Sequence, residues 1–138
     1  MMILPCAQPC TLDLHLRQVI ESVTRAHAAA AAELTYRIDE GHRLSSTCLY
    51  NTAYGRDLRT WWGTVVKQID ENEITADHAL RRVRAWVRQY LTTEPASSAP
   101  GTLFDHAIAH VSRAAAREFL TISEELLTLH AFSQEEAQ

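Results

Sequence analysis

Apolar residues recur at intervals of three or four along nearly the whole chain, the spacing that stacks them on one face of an α-helix. Leu12, Leu16, Val19, Val23, Ala26, Ala30, Leu34 and Ile38 make a first stripe, and Tyr50, Tyr54, Leu58, Trp61, Val65 and Ile69 a second. Ala79, Leu80, Val83, Trp86, Val87, Tyr90 and Leu91 make a third. The fourth, Phe104, Ile108, Val111, Ala115, Phe119, Ile122, Leu126 and Leu129, is longer and close to a heptad pattern. The stripes predict four helices.

The breaks between the stripes carry the matching stop and start signals. Gly41 stands just past the first stripe, where a left-handed residue ends a helix. Ser45, Ser46 and Thr47 form a polar break before the second stripe, and the acidic Asp70, Glu71 and Glu73 close it. Thr75 suits an N-cap, with Asp77 in the first turn where the helix dipole favours a negative charge. Pro95 and Pro100 within 92–101 prevent the third helix from running into the fourth, which Thr102 caps.

Pro5 and Pro9 disfavour helix at and before them, so residues 1–10 read as an extended arm, with Thr11 as the first cap. Residues 11–132 read as a single helical domain and 133–138 as a frayed tail. A chain of 138 residues with only 4 Gly and 4 Pro forms one compact domain and can bury a core without metal or disulfide. The expected fold is therefore all-α: a four-helix bundle of up-down type with an extended N-terminal arm.

On the second helix, Trp61 shares the phase of Tyr54, Leu58 and Val65 and is expected in the core, which leaves Trp62 as a contact residue. Arg56, Arg59, Gly63 and Lys67 project to the opposite, solvated side. The first and fourth helices are expected to reach ~45 Å and the third only ~25 Å. Apolar stripe should then overhang the short third helix at the start of the first, Leu12, Leu16 and Val19, and at the end of the fourth, Leu126 and Leu129.

Seventeen acidic residues against 13 basic ones give a net charge of -4, which removes the general attraction to nucleic acid. Arg81, Arg84 and Arg88 nevertheless line one edge of the third helix beside Trp86 and Tyr90, an interleaving that can track a phosphate backbone. The competing reading pairs Asp77 with Arg81 at i,i+4, buries the aromatics and leaves the arginines on a wet flank. That reading is preferred, and a nucleic-acid-associated regulator is kept as the alternative.

His106 and His110 have the i,i+4 spacing of a metal pair, but they project away from the apolar stripe. Ala107 occupies the place where a zinc-protease pattern needs its glutamate, and Arg113 and Arg117 continue the same face. No metal and no cofactor are expected. Cys6 and Cys10 with His15 lack both the usual ligand spacing and a fourth ligand, and Cys48, with no base beside it, reads as a small core thiol.

The glycines are too scattered for a phosphate-cradling loop, and Glu124–Glu125 and Asp39–Glu40 fall on solvated faces. Three cysteines do not make a disulfide framework, and no signal-like or membrane-spanning run occurs, which points to a cytoplasmic protein. With no nucleophile and base in evident register, the expected function is non-catalytic. The chain reads as an interaction or adaptor protein that pairs with itself, as a homodimer, or with another protein. A metal-binding bundle or an enzyme ranks third.

Overall fold

The computed structural model describes the backbone of residues 7–43, 45–93 and 103–137, and their side chains apart from 7–11, 103–106, 108 and 133–137. It is all-helical, with α1 (Ala7–Asp39), α2 (Ser46–Asn72), α3 (Ala76–Thr92) and α4 (Leu103–Ala137) packed against one another and no strand among the described residues. No helix among them is long and apolar enough to cross a membrane.

The helix ends follow local chemistry. Gly41 adopts φ +69°, and the bonds from Gly41 N–H to Ile38 O (3.1 Å) and from His42 N–H to Arg37 O (2.8 Å) close α1 in a Schellman motif. The Ser45 hydroxyl accepts from Cys48 N–H at the start of α2, and the Thr75 hydroxyl accepts from His78 N–H at the start of α3. α1 starts earlier than the sequence suggests. It includes Ala7–Cys10 and takes Pro9 into its first turn, where a missing N–H removes no helical bond, so Thr11 lies inside the helix. The expected linker, 92–101, starts later, because Thr92 ends α3 and Thr93 caps it; the rest of the expected arm, 1–6, the remainder of the linker, the Thr102 cap and the side chains of the tail lie outside the described residues.

The core gathers Leu12 and Leu16 of α1, Leu58, Trp62 and Val65 of α2, Leu80, Val83 and Val87 of α3, and Ala115, Phe119, Leu126 and Leu127 of α4. The two tryptophans exchange the expected roles. Trp62 is fully buried with its ring centroid 4.6 Å from that of Phe119, whereas Trp61 lies at the edge, 5.9 Å from Tyr90. The α2 face is centred on Cys48, Gly55, Leu58, Trp62 and Val65, which keeps Leu58 and Val65 of the expected stripe but turns it by less than one residue step toward Trp62, so that Phe119 of α4 packs on that ring. Trp86 and Tyr90 are likewise exposed at the rim of α3, because the buried face is centred on Leu80, Val83, Arg84 and Val87. Arg56, Arg59, Gly63 and Lys67 face solvent as their spacing requires.

Hydrogen bonds between helices fix which stretches lie side by side. Thr52 Oγ1 donates to Ala30 O (3.4 Å), Arg82 Nη1 to Gln68 Oε1 (3.0 Å), Ser112 Oγ to Asp57 Oδ2 (2.6 Å) and Arg113 Nη2 to Leu91 O (2.5 Å). The last residues of α3 therefore stand level with Trp61 on α2 and Arg113 on α4. Beyond that level α1, α2 and α4 continue without α3.

Candidate functional site

Among the described residues the short α3 leaves its longest uncovered stretch at the end opposite to the expected one, although Leu129 and Phe132 at the end of α4 are exposed. The first residues of α3 stand beside the end of α4, with Asp77 Oδ2 4.0 Å from His130 Nε2, so the start of α1 and the end of α4 have a neighbour. Leu12, Leu16 and Leu126 are consequently buried within the chain, as is Trp62, and none of the four is available as a contact residue. Val19 packs partly buried against the core. Leu129 is exposed (57%) because Ser123, Leu127 and His130 take the inner face of α4 in its place.

The uncovered stretch is the second half of α1. Past Leu16 no residue of α1 is buried: Val19, Val23, Ala30 and Leu34 of the stripe are half-buried, Ala26 is exposed, and Ile38 is 58% exposed. Val23, Ala26, Ala29 and Ala30 of α1 and Tyr54 and Leu58 of α2 line an open groove of about 610 Å³, with Glu33 and the buried free thiol of Cys48 at its walls. Alanines on one side and Gly55 on the other keep the walls close: a Cβ on Gly55 would stand 3.2 Å from His27 Cα. Tyr36, Ile38 and Tyr50 are exposed apolar residues at the same end, on the last turns of α1 and the first of α2. This part of α1 packs on α2 at His27 and Ala30 and is further supported locally by a run of helix-favouring alanines at 28–32 and the i,i+4 ion pairs Glu21–Arg25 and Glu33–Arg37.

Tyr54 marks the inner end of the groove. Burial, the carboxylate of Glu118 and the neighbouring Tyr50 push its phenol up to about 12.

The arginines of α3 separate. Arg81 pairs with Asp77, Nε to Oδ1 at 2.5 Å, as the i,i+4 spacing predicts. Arg84 is not on a wet flank: it is 5% exposed and reaches across to α4. There it donates to Leu120 O (2.6 Å), to Ser123 Oγ and to Glu124 Oε2 (2.7 Å). Three donors aimed at α4 explain how a cation occupies a buried position of the α3 face, which an apolarity count passes over. A stripe of three surface arginines tracking a phosphate backbone loses its central member.

His110 is exposed, and the side chain of His106 lies outside the described residues. Among the described residues no group of three or more His, Cys, Asp or Glu side chains could hold a metal ion. No protein family, curated protein or solved structure matches the chain.

Proposed function

We propose that the protein is a non-catalytic interaction protein that pairs with itself through the open α1–α2 groove and presents its remaining helix faces as an adaptor. The observation that carries this reading is the loss of burial along α1: a regular apolar stripe runs the length of the helix, yet the described residues bury it fully only as far as Leu16 and leave the rest half-covered or exposed. A second copy brings an identical uncovered stripe, so a two-fold axis through the groove satisfies both at once. The alanine-lined wall permits close helix approach, and Tyr36, Ile38 and Tyr50 supply the larger apolar and aromatic contacts that interfaces favour. In this reading the four helices form an up-down bundle, supported by the pairings Ala30–Thr52, Gln68–Arg82 and Leu91–Arg113, each of which sets consecutive helices antiparallel.

Light scattering coupled to gel filtration tests the pairing. The wild type is expected at twice 15.5 kDa and Ala29→Arg at 15.5 kDa, with unchanged helicity because Ala29 is exposed in the single chain. A wild-type monomer at high micromolar concentration, or an Ala29→Arg dimer, overturns the proposal.

A further inference from the structure

The cleft between α3 and α4 holds positive charge that the fold leaves unmatched. Arg81, Arg84 and Arg88 stand at i, i+3 and i+7 on one face of α3, and with Glu124 and Leu127 of α4 they line a cleft of about 360 Å³. Three guanidiniums meet one lining carboxylate there, Glu124, since Asp77 is engaged behind Arg81. The bonds of Arg84 to Leu120, Ser123 and Glu124 leave its Nε–H and one Nη2 proton without a protein acceptor among the described residues. Arg88 has no carboxylate partner among them.

The pKa of Arg84 is lowered first by burial and then by the charge of Arg88, and Glu124 only partly opposes this. Glu124 is 64% exposed on its side chain, so it can swing to the rim and release the Nη2 edge of Arg84. Guanidinium forks match oxyanions with paired, parallel N–H···O bonds, and the match is strongest where water is partly excluded.

We propose that this cleft binds a compact phosphate dianion, free or as a small monoester, held between Arg84 and Arg88 with Glu124 as the carboxylate it displaces. Leu127 and Ala131 give the organic part of a monoester an apolar wall. A cleft with its central arginine at the bottom receives a single phosphate head, whereas a polyphosphate backbone needs a ridge of exposed cations.

Titration calorimetry on the full chain at constant ionic strength tests this, with inorganic phosphate, phosphoserine and serine as titrants. Saturable binding of phosphate or phosphoserine and none of serine is expected, and the tighter of the two identifies the source. Arg88→Gln, exposed and free of described partners, is expected to weaken binding roughly tenfold or more, and Glu124→Gln to tighten it. The proposal is overturned by no saturable binding of either phosphate compound, or by Arg88→Gln binding as the wild type does. It is also overturned if a single-stranded oligonucleotide binds with a steep salt dependence while the small phosphates do not. Each readout is independent of whether the chain pairs through the α1–α2 groove.

Discussion

Tyr54 stands where the open groove meets the core, and its raised pKa makes that position measurable. The folded chain holds the phenol proton more tightly than the unfolded chain, whose tyrosines titrate near 10, so the contribution of Tyr54 to stability is complete below pH 10. It is lost as pH rises from 10 through about 12. Absorbance titration of the phenolates should show a component near pH 12 that disappears in Tyr54→Phe. The fall in stability across that window should be shallower in the variant, and a wild type without the late component would contradict the burial described. At the same scale, Trp62 shows what a buried ring tolerates: its indole N–H has no acceptor among the described residues, a loss of about 1–3 kcal/mol. The apolar contact of the ring with Phe119 and the core outweighs it, because truncating a buried aromatic residue to alanine costs about 3–5 kcal/mol.

Between elements, the two helical glycines of α2 have opposite meanings. Gly63 faces solvent with nothing within 4 Å of an added Cβ, so Gly63→Ala removes only the backbone entropy penalty and should stabilise the fold by roughly 0.5–1 kcal/mol. Gly55 faces His27, where the added methyl would meet α1 backbone at 3.2 Å. Gly55→Ala should gain no such increment, because α1 must move outward to admit the methyl and the groove wall opens with it. Urea unfolding of the two variants compares them directly. Equal stabilisation would mean that α1 and α2 do not approach as closely as described.

For the whole molecule, unequal helix lengths decide which surface is left over. α1, α2 and α4 have 33, 27 and 35 residues against 17 for α3, and α3 is aligned with the end where α2 finishes and α4 finishes. The layer that α3 supplies is therefore missing over the second half of α1. If a second copy covers that half, unfolding is coupled to dissociation, and the melting temperature should rise with protein concentration. Scanning calorimetry over a hundredfold concentration range checks this. A concentration-independent transition would leave the groove uncovered in solution.

Helix number, helix type and most helix ends were legible in the residues. A period of 3.6, Gly41 at a left-handed stop, and the hydroxyls of Ser45 and Thr75 at caps are local properties that act over a few positions. The Asp77–Arg81 pair is local in the same sense. What the sequence could not decide was the rotation of each stripe and the alignment of one helix along another, because both depend on contacts between residues far apart in the chain. Trp61 and Trp62 differ by only 100° on α2, and the position of Phe119 on α4 selects which ring is buried. Arg84 enters the α3 face because Leu120, Ser123 and Glu124 lie within its reach some 40 residues away. The length mismatch could be read from the stripes, but the end at which it leaves α1 bare follows from the level at which α3 packs, and only the tertiary structure sets that level.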